Sequence, residues 1–129
     1  MIFGVGVDIV QTVRLRKAVE KWGERFLRKV FTENEIAHCL ARKDPYPSLS
    51  VRFAAKEAFV KAIGSRESSP WTDIEVSQDS RGKPLIRGRG RFGIFLREHS
   101  VRHAHVSLSH EKEYGIACVV LETERKGES

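Results

Sequence analysis

The stretch RFAAKEAFVKAIG, residues 52–64, carries one carboxylate, Glu57, flanked by Lys56 and Lys61 on a segment that otherwise reads as an apolar helix. On a helical wheel Ala55, Ala58, Phe59, Ala62 and Ile63 form one apolar face, and Glu57 projects from the opposite side with Phe53, Val60 and Gly64. A helix apolar on both sides is buried on both sides or lies at a subunit contact, which puts Glu57 in a cleft or an interface. A carboxylate there needs a cation beside it. Two uses fit the pattern. Lys61 follows Glu57 by four residues, the favoured order for a helical ion pair worth about 0.2–0.5 kcal/mol. Alternatively, a carboxylate, an ammonium and the uncovered backbone at Gly64 suit a phosphate with its magnesium.

A second acid stands in the opening run MIFGVGVDIV, which alternates as a strand. Phe3, Val5, Val7 and Ile9 share one face, and Ile2, Gly4, Gly6, Asp8 and Val10 the other. Two glycines on the face of Asp8 imply that a backbone or a ligand approaches closely there. A strand relaxed by glycine and ended by a capping acid accounts for the same pattern.

The elements that must hold these acids follow from periodicity and punctuation. Thr12 is placed to cap a helix over 12–22, with Gly23 as its terminator. The segment 12–30 is strongly basic, with Arg14, Arg16, Lys17, Lys21, Arg25, Arg28 and Lys29 against Glu20 and Glu24. Thr32 and Glu35 have capping-box spacing before IAHCLAR, a short helix ending ahead of Asp44, Pro45 and Pro47. The helix of Glu57 is expected over 48–63, then a polar loop SRESSP. DIEVSQ and LIRG read as a hairpin turned at Gly82, residues 91–99 as a helix, and AHVSLSH with YGIACVVLE as a second hairpin. The architecture expected is α+β, an antiparallel sheet packed with helices, in a single domain over 1–129 whose tail, 123–129, is flexible.

At 129 residues and a formal charge of +6, the chain is long enough for one modest core and should attract something anionic. It has neither an apolar run of membrane-spanning length nor a secretory leader pattern, so a cytoplasmic location is expected with no membrane partner. Cys39 and Cys118 fit no disulfide or zinc spacing, and Cys118 reads as a small buried hydrophobe.

Taken together, GVGVDIVQTVRLR, KVFTENE, RFAAKEAFVKAIG, WTDIEV, GKP and HVSLSHEKEYGIACVVLE resemble the holo-acyl-carrier-protein synthase family, the small 4′-phosphopantetheinyl transferases of bacterial fatty-acid synthesis. The resemblance runs over nearly the whole chain in order. It implies transfer of 4′-phosphopantetheine from coenzyme A to a serine of apo-acyl carrier protein, with release of adenosine 3′,5′-bisphosphate and a need for Mg²⁺. By the same resemblance Asp8 and Glu57 match the metal-binding carboxylates, and Lys61 a lysine that approaches the coenzyme phosphates. Lys61, Gly64, Lys83, Pro84, Ser109 and His110 match positions lining the coenzyme site. The general base stays open between Glu57 and a water on the metal. The family implies a homotrimer with each site between two neighbours. Because acyl carrier proteins are acidic, Arg14, Arg16, Lys21, Arg25 and Arg28 become the expected docking face.

Two rival readings fit part of the pattern. A small basic nucleic-acid-binding domain fits the charge, but the aromatics fall in apolar-patterned segments and form no stacking row, so no nucleic-acid partner is expected. A transferase for polyketide or peptide carriers is typically longer, with two pseudo-repeated halves. The chain also departs from the family at KAIGSRESSP, where many members continue with further glycines, and at Val60, where a smaller residue is common.

Overall fold

The computed structural model describes residues 1–124. Along the chain run β1 (Ile2–Gln11), α1 (Thr12–Trp22), α2 (Glu24–Val30), α3 (Glu33–Leu40), α4 (Tyr46–Ala62), a 3-10 turn (Trp71–Asp73), β2 (Ile74–Gln78), β3 (Pro84–Gly88), α5 (Gly90–Glu98), β4 (Val101–His110) and β5 (Tyr114–Thr123). The strands form an antiparallel sheet ordered β1-β5-β4 and a separate β2-β3 hairpin. The α+β architecture expected from the patterning is the one observed.

Helix α4 lies across the sheet and organises the core. Its Ala54, Ala55, Ala58 and Phe59 are fully buried, as are Ala117, Val119 and Leu121 of β5. The contact is closest along β1. A Cβ on Gly4 would overlap the Ala62 carbonyl, and one on Gly6 the Ala58 carbonyl. The glycine pair beside Asp8 therefore answers to the backbone of α4, which is how an acid on a strand comes to lie next to an acid on a helix. Gly6→Ala is expected to cost about 2 kcal/mol or more through overpacking, by moving α4 off β1. Thermal unfolding checks this.

Local signals set several boundaries. The capping box forms: the Glu35 amide donates to Thr32 Oγ1 at 3.2 Å and the Thr32 amide to Glu35 Oε1 at 2.8 Å. Gly23 takes φ 58° and separates α1 from α2, a helix concealed within the basic segment. Helix α4 starts at Tyr46, ahead of the expected position, because Pro47 falls in the first turn, where no amide partner is needed.

Two expectations are corrected. Thr12 does not cap α1; Gln11 is the N-cap, and Thr12 is a buried first-turn residue with Oγ1 3.4 Å from Ser50 Oγ. Its tertiary neighbour on α4 decides its orientation. Cys118 is half-buried, opposite Val7 on the sheet face away from α4, so the run YGIACVVL is covered on one side within the chain. That outer face exposes Val5 (53%), Val7 (55%) and Ile9 (58%) on β1 and Ile116 (41%) on β5. Of the expected tail, Thr123 closes β5, donating its amide to the Met1 carbonyl at 2.8 Å; residues 125–129 lie outside the described residues. Among the described residues no helix is long and apolar enough to cross a membrane.

Candidate functional site

The close approach of β1 and α4 brings Asp8 and Glu57 to the wall of one cavity of about 400 Å³, completed by Ile9, Val10, Arg14, Leu15, Ala18, Phe26 and Phe53. Lys61 Nζ donates to Asp8 Oδ1 at 2.9 Å and to the Val7 carbonyl at 3.1 Å. The helical Glu57–Lys61 pair allowed by spacing is not formed. Among the described residues Glu57 has no ion pair within 4.0 Å, and Lys61 reaches across to the strand instead.

The electrostatics follow from that geometry. Burial is the main cause of a raised Glu57 pKa; the neighbouring charge of Asp8 adds to it and Lys61 offsets part. Lys61 is pushed above the usual lysine value by its hydrogen bond and charge interaction with Asp8. Two carboxyl groups repelling each other beside a cavity, with one ammonium between strand and helix, form a site that gains from a further cation. Among the described residues no group of three or more His, Cys, Asp or Glu converges. A metal bound here would have Asp8 and Glu57 as its protein carboxylates. That donor set fits Mg²⁺ with a phosphate ligand and does not fit a closed structural zinc site.

The remaining expected residues divide. Gly64 ends α4 at φ 71°, on the same stretch as Lys61. Lys83 and Pro84 sit at the β2-β3 turn, where the Lys83 amide donates to Asp79 Oδ1 at 2.9 Å. Ser109 and His110 end β4, with Ser109 opposite Ile116 on the exposed sheet face. None of these last four lines the cavity of Asp8 and Glu57. On the basic helices, Arg14 is on the cavity wall and Arg25 is exposed. Arg16 lies over the Tyr46 ring and Lys21 over Trp22, at 5.2 and 5.0 Å from the centroids, and Arg28 pairs with Glu24 and Glu33.

Two features of the fold have little signal in the sequence. Phe26 joins Phe53 as an apolar wall of the cavity, and its signal was hidden because α2 was not separated from the basic run. Arg52 is 4% exposed, and its Nη1 donates to the Ser48 carbonyl and hydroxyl at 3.3 and 2.7 Å. It lines a second cavity of about 250 Å³ with Asn34, His38, Ser77, Gln78 and Asp79, against the β2-β3 turn. Among the described residues it has no carboxylate within 4.0 Å, and its buried Nε has no partner. The only sequence sign is an arginine within an otherwise apolar helix.

Comparison with known proteins bears on these groupings. A family model described as 4′-phosphopantetheinyl transferase superfamily matches residues 4–119. The holo-[acyl-carrier-protein] synthase of Halothermothrix orenii is 45% identical over 123 residues, covering 95% of this chain and 98% of its own. The crystal structure of holo-[acyl-carrier-protein] synthase from Neisseria meningitidis aligns with a TM-score of 0.87 at 32% identity, over 95% of this chain and 100% of the other. The Bacillus anthracis holo-(acyl-carrier-protein) synthase in complex with CoA (3′,5′-ADP) aligns with a TM-score of 0.79 at 35% identity, over 96% and 99%.

Proposed function

The chain belongs to the 4′-phosphopantetheinyl transferase superfamily, and from that premise we propose that it moves the 4′-phosphopantetheine of coenzyme A onto a serine of apo-acyl carrier protein. The products are holo-acyl carrier protein and adenosine 3′,5′-bisphosphate. The reading includes dependence on Mg²⁺, a place in fatty-acid synthesis, a cytoplasmic location and a single transferase domain over 1–129. The observation that carries it is the pairing of Asp8 and Glu57 on one cavity wall, with Lys61 seated on Asp8.

In chemical terms, the serine oxygen forms a bond to the β-phosphorus of the pyrophosphate, and the bond from that phosphorus to the bridging oxygen breaks. The adenosine bisphosphate leaves with the electron pair. Asp8 and Glu57 supply the carboxylate oxygens for the metal. Mg²⁺, when bound, neutralises charge on the pyrophosphate oxygens. Lys61, whose side chain is half exposed, meets the coenzyme phosphates from the Asp8 side. Glu57 lines the cavity beside Asp8, and the serine proton leaves either to its carboxylate or to a water. Arg52, a buried cation with no carboxylate partner among the described residues, and Lys83 in the neighbouring turn add a second cationic region suited to a phosphate-rich coenzyme.

The test is the intact mass of purified apo-acyl carrier protein after incubation with this chain, coenzyme A and Mg²⁺. The expected result is a gain of one phosphopantetheine that EDTA prevents. No gain with several carriers overturns the reading.

A homotrimer with sites between neighbours belongs to the same proposal. Two observations support it: Val5, Val7, Ile9 and Ile116 are bare on one sheet face, and Ser109 shares that face while lying outside the Asp8 cavity. A patch of this kind on a small protein calls for a partner, and a second copy covering it is the proposed source of the coenzyme-site residues Lys83, Pro84, Ser109 and His110, which stand apart from Asp8 in one chain. The native mass is expected at three chains; a monomer that is fully active contradicts the shared site.

The basic helices give a kinetic prediction. Replacing Arg14 and Arg25 together by Glu is expected to raise the KM for carrier roughly tenfold or more through lost charge complementarity, with a much smaller change in the KM for coenzyme A. Equal effects on both substrates argue against a docking face.

A further inference from the structure

The turn that closes α4 lacks the additional glycines expected after Gly64, and its geometry explains how it keeps its shape. Gly64 and Ser65 stand consecutively in the left-handed region, at φ 71° and 55°. Gly64 takes that region freely; Ser65 carries a Cβ and is strained there. Their amides close the last turn of the helix, Gly64 donating to the Lys61 carbonyl at 2.9 Å and Ser65 to the Val60 carbonyl at 3.0 Å.

The next residue is Arg66. Its Nε donates to the Ile63 carbonyl at 3.3 Å, and its Cγ and Nε lie 3.8 Å from where a Cβ of Gly64 would stand. Its guanidinium carbon is 4.9 Å from the Phe3 ring centroid and 5.3 Å from that of Phe95. Those rings meet edge to face at 5.9 Å, and Phe95 stacks on His99 at 4.0 Å. A guanidinium is held on aromatic faces by the ring quadrupoles. Phe3 belongs to β1, five residues before Asp8, and Phe95 to α5. One side chain therefore ties the turn after Lys61 to the strand of Asp8 and to the neighbouring helix.

We propose that Arg66 is a positioning residue for coenzyme binding: seated on Phe3 and Phe95, it holds the Gly64–Ser65 turn left-handed beside Lys61, and so sets the affinity for coenzyme A and not the rate of transfer. This rests on the transferase reading above. Where further glycines would reach the shape through conformational freedom, this chain reaches it with a clamp.

The test is steady-state transfer by the full chain with apo-acyl carrier protein at varied coenzyme A, comparing wild type, Arg66→Ala, Arg66→Lys, and Arg66→Ala combined with Ser65→Gly. Arg66→Ala is expected to raise the KM for coenzyme A about fivefold, equivalent to about 1 kcal/mol and to one exposed cation–π contact, with kcat and the KM for carrier within about twofold. Adding Ser65→Gly should bring the KM back to within about twofold of wild type, because glycine adopts the left-handed turn without the clamp. Arg66→Lys should recover only part, since an ammonium lacks the plane that meets two rings. An unchanged KM for Arg66→Ala, with only the melting temperature lowered, overturns the proposal and leaves Arg66 a structural residue. A raised KM that Ser65→Gly leaves uncorrected also overturns it, because Arg66 then contacts the coenzyme itself. Wild type is measured first, and its failure to transfer from coenzyme A overturns the transferase reading and this inference together, whereas the other failures touch the inference alone.

Discussion

Replacing Glu57 by glutamine is expected to reduce transfer by at least about a hundredfold, the scale for losing a group that stabilises charge in the transition state, while leaving the fold at least as stable as before. The two halves of this expectation have one cause. Glu57 is partly buried beside Asp8, with its carboxyl pushed above the ordinary value chiefly by that burial. A carboxyl whose folded pKa lies above its unfolded one costs stability at every pH above the folded value, and the cost shrinks as the pH falls through it. Glutamine removes the charge and with it the cost, so in EDTA and alkaline buffer the melting temperature of Glu57→Gln should equal or exceed that of wild type. A site that stores repulsion until a cation arrives is expected to trade stability for activity in this way. Asp8→Asn should be equally inactive but differ in stability, because it also removes the charge that Lys61 meets at 2.9 Å; the pair is part-exposed, so that loss is small. Mass analysis of the carrier and thermal unfolding of both variants check these points. Full activity in either variant sinks the assignment of the two carboxylates.

The contrast between Asp8 and Lys61 marks what the sequence could reveal. Asp8 was legible as a special position because two glycines on its face announced a close approach, and Glu57 because its helix was apolar on both sides. Where Lys61 would go was not legible. The local rule offers Glu57 four residues away, and the partner it takes is 53 residues away, across a contact that exists only once Gly4 and Gly6 have let α4 down onto β1. The same limit governs Thr12, whose cap signal is local and whose neighbour Ser50 is not. It governs Cys118, since an apolar run does not tell which of its faces the chain itself covers. Turn and cap chemistry, in contrast, was read directly at Thr32–Glu35 and at Gly23, because those bonds close within a few residues. The division of the site is of the same kind: the residues matched to coenzyme binding fall in two places on one chain, and no spacing along a single sequence announces a neighbour.

Lys56→Met is expected to destabilise the chain by about 3–5 kcal/mol, the scale for stripping one partner from a buried ion pair, which is a large part of the roughly 5–15 kcal/mol that holds a domain folded. Lys56 is fully buried, and its ammonium donates to Glu35 Oε1 at 2.7 Å and to the Trp71 and Ile74 carbonyls at 3.1 and 2.6 Å, with the Phe31 ring at 5.6 Å. Burial holds its pKa below the usual lysine value, with Glu35 pulling the other way. Glu35 in turn takes the Thr32 amide on one oxygen and the Val76 amide, at 2.7 Å, on the other. The capping box that looked like a local device is thus half of a junction binding α3, α4 and β2. Methionine fills the space of the stem but removes the cation from a buried carboxylate and one donor from each of two carbonyls. Adding Glu35→Gln to Lys56→Met should recover part of the loss, because the buried charge goes while one acceptor for a backbone amide remains. A cost below about 1 kcal/mol for Lys56→Met would mean that water replaces the ammonium and that the junction does not depend on the ion pair. The functional consequence is separable from the structural one. On α4 Lys56 points into this junction while Glu57, one residue on, points into the cavity, so the ion pair fixes the rotation of the helix about its own axis. Measured well below its lowered melting temperature, Lys56→Met should therefore keep its need for Mg²⁺ and its KM for carrier while losing part of kcat, whereas a variant that only unfolds more readily would keep all three.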